Sequence, residues 1–270
     1  MKRKELRFRT QRGSKEFSPI SFLERAGQLK QALKPVPLTG KVIGTDFREP
    51  VFTTNDYPWR VVCSLVIRFA GRPLQEIATG WFAGPRTVIT AGHAIYNGGQ
   101  LASSVDVFAG RFADQFYRAA RSEVMTVHEN WKAGNDEFDY GAIFLKEAIG
   151  TDTGFFVPVA VTDETLRGLN LSVVGYPADI PRLSTQTFGD GAFQFIDRGN
   201  AMDLSSTRFS YEIDTEKGQS GSPVFAFDEN ENVGVVGIHT DRGGNDNSAV
   251  RINNSVKSRI SAWNSQANKL

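Results

Sequence analysis

The chain has 270 residues, of which 40% are hydrophobic and 23% charged, with a formal net charge of +1. That balance excludes a disordered chain and a generally nucleic-acid-binding surface, and no segment reaches the roughly 20 apolar residues of a membrane-spanning helix. The length admits one large β domain or two ordinary ones, and 26 glycines with 20 phenylalanines lean toward a turn-rich β protein.

The charge is unevenly placed. Residues 1–41 hold 11 Lys or Arg against 3 Glu, so the remainder carries a net charge of −7. A polar, basic arm over residues 1–17 is followed by Ser21-Phe22-Leu23-Glu24, which fits a capping box. Leu23, Ala26, Leu29 and Leu33 then recur at helical spacing until Pro35, predicting one short helix over 20–34. Pro35-Val36-Pro37-Leu38-Thr39-Gly40 cannot continue it and reads as an extended linker, with a domain boundary near residue 41. Met1-Lys2-Arg3-Lys4 resembles the start of a signal peptide, but no apolar run follows. Cys63 is the only cysteine and sits in the apolar run Val61–Ile67, so it reads as core and no intrachain disulfide can form. Together these features lead us to expect a cytoplasmic protein, with export by a non-standard route as the alternative.

From residue 42 the chain changes character. Short β-branched and aromatic runs separated by Gly, Asn and Asp occur at 60–69, 77–82, 87–91, 105–109, 140–145, 171–175, 207–213, 223–227 and 233–238. Asn253–Trp263, with Val256, Ile260 and Trp263 on one face, predicts a C-terminal helix. The expected fold is mainly antiparallel β, a barrel or sandwich. Asp228-Glu229-Asn230-Glu231-Asn232 alternates like a calcium loop but lacks the turn glycine and the closing glutamate, so a hairpin turn is expected there.

Three motifs carry chemistry. In Gly218-Gln219-Ser220-Gly221-Ser222-Pro223 a serine stands between glycines, a setting for a tight loop whose free N–H groups stabilise an oxyanion. A serine hydroxyl needs a base and a group to orient it. His93, in Thr90-Ala91-Gly92-His93, follows an apolar run, and Asp139 precedes Tyr140-Gly141-Ala142-Ile143, with Asp136 and Glu137 as neighbouring rivals. Each alone suits an ordinary turn; the order His, Asp, Ser with the glycine-flanked serine is what points to nucleophilic catalysis.

This set resembles the chymotrypsin-like serine proteases, over about residues 42–264. It is most similar to the V8-like bacterial glutamyl endopeptidases, through Val42-Ile43-Gly44-Thr45-Asp46, Gly80-Trp81-Phe82, Asp214-Thr215 and Gly237-Ile238-His239-Thr240. The resemblance implies two six-stranded antiparallel barrels with the site between them. It also implies a serine endopeptidase acting on a protein or peptide substrate, with His93, Asp139 and Ser220 as triad and the N–H groups of Gly218 and Ser220 as oxyanion hole. Thr215, His239 and a freed α-amino group at Val42 would hold an acidic side chain before the scissile bond, with Arg242 at the pocket mouth. Asp214, six residues before the nucleophile, argues instead for cleavage after Arg or Lys, and a catalytically silent binding module is a further alternative.

Lys217 stands where relatives often have glycine, Ala94 where secreted relatives often have cysteine, and Gln219 is neutral. Residues 1–41 are then a candidate propeptide, cut between Lys41 and Val42 by an activating protease, or else a docking segment for a regulatory partner. Three histidines and one cysteine at scattered positions predict no metal and no cofactor.

Overall fold

The computed structural model describes residues 46–178, 191–240 and 247–270. The basic arm with its expected helix, the Lys41–Val42 junction and Arg242 lie outside them.

The described chain opens with the short strand β1 (Glu49–Pro50). The first barrel is built from β2 (Val62–Arg68), β3 (Glu76–Gly84), β4 (Thr87–Thr90), β5 (Ser104–Ala109), β6 (Arg118–Ser122), β7 (Met125–Val127) and β8 (Gly141–Phe144). Their order is β6-β5-β2-β3-β4-β8-β7. The two edge strands, β6 and β7, follow one another in sequence with only Glu123 and Val124 between them. They are therefore halves of one bent strand that closes the sheet on itself. Ser122 Oγ donates to Phe144 O at 2.5 Å and Phe144 N to Val124 O at 2.9 Å, which fastens the bend to β8.

The second barrel uses β9 (Val157–Pro158), β10 (Leu171–Gly175), β11 (Phe195–Gly199), β12 (Ala201–Met202), β13 (Arg208–Tyr211), β14 (Pro223–Phe227), β15 (Val233–His239) and β16 (Asn247–Arg251). The order β1-β11-β10-β14-β15-β16-β13-β12 closes the same way, since only Asn200 separates β11 from β12. The sheets hold seven and nine strands. The expected six apiece emerge once each bent strand is counted once and β1 and β9, two-residue additions to β11 and β15, are set aside.

Burial explains why these segments pair. Every residue of β4, β8, β10 and β15 is buried, so both faces of these strands are covered and they read as continuous apolar runs. The largest cluster joins first-barrel side chains such as Leu65, Trp81 and Ile89 to Tyr176, Phe225, Val235 and Ile238 of the second, so the interface between barrels is core. The C-terminal helix Asn254–Ala267 starts at Asn253, whose side chain accepts the Val256 N–H at 3.0 Å. It buries Val256, Ile260, Trp263 and Ala267 and reaches the first barrel through Asn264 Nδ2 to Ala83 O at 2.9 Å. The expected hairpin turn is present: Asp228 Oδ1 accepts the N–H groups of Asn230 and Asn232. No helix of the described residues is long and apolar enough to cross a membrane.

Candidate active site

His93 lies in a one-turn helix, Gly92–Ile95, that starts immediately after β4 and Ala91. Asp139 ends the 3-10 turn Asp136–Phe138 just before β8. Because β4 and β8 are paired, with Thr90 opposite Gly141, the sheet register brings the two residues together. Asp139 Oδ2 lies 2.7 Å from His93 Nδ1, and Oδ1 accepts the His93 backbone N–H at 2.8 Å. This double contact fixes the imidazole by ring and backbone alike. The Asp139 side chain is 7% exposed and that of His93 36%, so a buried carboxylate backs a ring that opens to solvent. Trp131 packs edge-on to His93, and a Cβ on Gly92 would meet both Trp131 and Asp139, so glycine is required for this approach. Neither Asp136 nor Glu137 takes that place: Asp136 O receives Arg208, and Glu137 receives the Thr207 hydroxyl.

The loop Asp214–Ser222 comes from the second barrel. Gly221 has φ +88° and fits against Thr79 O, Thr90 Oγ1 and Ala91 N so closely that no Cβ could be accommodated. That contact sets Ser220 beside the strand end that carries His93. Within the loop, Glu216 N donates to Gln219 Oε1, Lys217 N to Glu216 Oε1, Gln219 N to Glu216 O, Gly221 N to His239 O and Ser222 N to Gln219 O. The N–H groups of Gly218 and Ser220 donate to no acceptor among the described residues. Gly218 reaches this geometry with φ +94°, a Cβ there colliding with the Tyr176 carbonyl. Lys217 is exposed and is not among the positive-φ residues, so its backbone does not call for a glycine. Ser222 is fully buried, with Gly175 too close to admit a Cβ, and is no competitor for the nucleophile's place.

Thr79 of β3, a residue that sequence reading passed over, stitches the two barrels at this point. Its N–H donates to Ser220 O at 2.9 Å, its hydroxyl donates to Gly218 O at 2.8 Å and accepts the Tyr176 N–H at 2.9 Å, and its carbonyl accepts the Thr90 hydroxyl at 2.7 Å. Burial pushes the Tyr176 phenol far above its ordinary pKa, so it stays protonated among Arg111 N, Gln194 Nε2 and Val62 O.

Of the residues expected to select substrate, Thr215, His239 and Asp214 are each 2% exposed. Thr215 Oγ1 donates to Asn247 Oδ1 at 2.7 Å, and Asn247 is itself oriented by donating to Ile213 O. His239 ends β15, and its Nδ1 lies 2.6 Å from the Tyr211 hydroxyl, which also reaches Ser248 O. Since Tyr211 pairs with Asn247 across β13 and β16, the supports of Thr215 and His239 sit side by side. One oxygen of Asp214 receives the Phe47 N–H at 3.0 Å. Val42 and Arg242 lie outside the described residues.

Residues 78–238, more than half of the chain, match the model of the trypsin-like peptidase domain. The chain belongs to the trypsin-like peptidase family. This trypsin-like peptidase is 34% identical over 205 residues to a glutamyl endopeptidase of Bacillus licheniformis, an alignment covering 75% of this chain and 60% of that one. It is 29% identical over 239 residues to a Bacillus subtilis protein named extracellular metalloprotease, covering 87% and 72% of the two chains. A solved Glu endopeptidase in complex with MPD superposes with a TM-score of 0.70 at 25% identity, over 83% of this chain and 99% of the other. Among the described residues no three His, Cys, Asp or Glu side chains are grouped to hold a metal ion.

Sequence reading of the peptidase also missed Tyr211 and Asn247. Neither belongs to a motif, and both gain their roles only from the pairing of β13 with β16.

Proposed function

We propose that this trypsin-like peptidase hydrolyses peptide bonds through Ser220, His93 and Asp139, and that it cleaves after Glu, then Asp. One observation carries the first half. Beside the His93–Asp139 pair, every N–H from Glu216 to Ser222 is used except those of Gly218 and Ser220, which is the arrangement an oxyanion hole needs. Ser220 Oγ would attack the carbonyl carbon while its proton passes to His93 Nε2. The C–N bond then breaks as His93 returns that proton to the amine, and water repeats the cycle on the acyl-enzyme. Asp139 would hold Nδ1–H and stabilise the imidazolium formed in between.

The second half is supported by the buried His239 held at Nδ1 by Tyr211, since Nε2 is then the ring nitrogen that would meet a substrate carboxylate. Thr215 has one hydroxyl proton, here given to Asn247; to donate it to substrate the hydroxyl must rotate away from that partner. Cleavage after Arg or Lys, the alternative through Asp214, is weakened because the Phe47 amide already occupies a carboxylate oxygen there. Processing at Lys41–Val42, with the new α-amino group entering the pocket, belongs to the same proposal.

A fluorophosphonate is expected to label Ser220, with labelling abolished in Ser220→Ala. Absence of labelling in the wild type would overturn the catalytic reading. Peptide-library cleavage by chains starting at Met1 and at Val42 is expected to favour Glu before the scissile bond, more strongly in the second; preference for Arg or Lys would overturn the acidic pocket.

A further inference from the structure

We infer that Asp46, Phe47 and Arg48 form a strap that holds the Asp214–Ser220 loop in its working shape, with Arg48 a positioning residue that acts through Gln219. The inference rests on the acyl-transfer reading above. The Arg48 side chain is 1% exposed, and a guanidinium does not shed its proton on burial, so its donors must be met. Asp46 meets Nε and Nη2 in a two-pronged contact, both at 3.0 Å, and also accepts the Arg48 backbone N–H. Nη1 reaches Gln219 Oε1 at 3.4 Å, and the guanidinium lies 6.0 Å from the centre of the Phe195 ring.

Gln219 is the residue immediately before the proposed nucleophile, and its Oε1 also accepts the Glu216 N–H at 2.9 Å. The one carboxamide oxygen thus ties the start of the loop to its end and both to the strap. A second, independent link is the Phe47 N–H to Asp214 Oδ2 at 3.0 Å. The two links span 171 and 167 residues of sequence, so the strap grips the loop at both of its ends. Asp214, read from sequence as a candidate substrate contact, has this structural role as well. Without Arg48 the Gln219 carboxamide keeps only its loop partner, and the Gln219–Ser220 peptide, whose N–H is one of the two proposed oxyanion donors, loses a restraint on its orientation.

The test uses the full chain. Arg48→Met keeps most of the buried volume and removes the donors, and is expected to lower kcat on a Glu-containing peptide about 10- to 100-fold. KM should change less than about threefold, with fluorophosphonate labelling of Ser220 slowed in parallel, because the donors act on the oxyanion. Arg48→Lys should recover part of the rate. In a double-mutant cycle with Gln219→Met the two losses should fall short of additive, since both cut one link. Wild-type labelling in Arg48→Met, or additive losses, would overturn the strap while leaving the triad reading intact; failure of the wild type to label would overturn the triad reading itself. Should Arg48→Met not fold, Asp46→Asn is measured the same way: a loss of kcat is expected, and an unchanged kcat overturns the inference.

Discussion

Thr79 makes four hydrogen bonds at the junction of the barrels, and three of them end on the Ser220 loop or its neighbour Tyr176. Replacing it by the isosteric valine keeps the shape and the backbone contacts but deprives the Gly218 carbonyl of its donor and the Tyr176 amide of its acceptor. Leaving two buried groups unmet costs about 1–3 kcal/mol each. We expect Thr79→Val to lower the thermal midpoint by several degrees and to slow acylation about tenfold or more through the displaced Gly218 N–H. Calorimetry and labelling kinetics measured together check both effects; a destabilised variant with wild-type kinetics would limit Thr79 to a structural role. The candidate triad was legible at this scale because its chemistry demands particular residue types in a particular order. Thr79, Tyr211 and Arg48 were not, because a threonine, a tyrosine or an arginine in a strand or loop carries no mark until its partner, up to 171 residues away, is known.

Among the elements, the turn that precedes Asp139 has a titratable neighbour. His128 caps the short helix Glu129–Lys132 by accepting the Asn130 N–H at its Nδ1, 3.1 Å away. Its ring stacks on Phe138, lies against Tyr140, and faces Glu129 and Arg259. Burial, chiefly, lowers its pKa below the ordinary histidine value, with Arg259 adding to the shift and Glu129 opposing it. A folded state that resists protonation loses stability as pH falls through the unfolded value of about 6.5 toward the folded one. The thermal midpoint should therefore decline between about pH 7 and 5 more steeply in the wild type than in His128→Asn, which keeps a capping acceptor without the titration. Parallel curves for the two proteins would show that His128 has no part in it. Strands announced themselves where both faces are buried, as in β8 and β15. The closing strands were hidden for the converse reason: Arg118-Ala119-Ala120-Arg121-Ser122 keeps two arginines partly in solvent, so its composition lacks the apolar signal of a buried strand.

For the molecule as a whole, the merged core means that neither barrel is finished alone. Leu65, Trp81 and Ile89 share one cluster with Tyr176, Phe225 and Val235, and all four tryptophans, Trp59, Trp81, Trp131 and Trp263, lie in the first barrel or in the elements packed on it. Tryptophan fluorescence thus reports the first barrel, whereas fluorophosphonate labelling reports a loop of the second. We expect the two signals to be lost together in a denaturant titration, with one midpoint. Separate midpoints would mean that the barrels unfold independently.

The stitch at Thr79 also sets a timetable. A ribosome delivers the first barrel, complete with His93 and Asp139, before any of the second except the two-residue β1 has been made, since β2 to β8 end at Phe144 and Ser220 follows 76 residues later. At that stage His93 and Asp139 exist without Ser220, and the Thr79 hydroxyl has no Gly218 carbonyl to bind. On the proposed catalytic reading, hydrolysis must wait until the second barrel has closed, so a half-made copy leaves the chains around it intact.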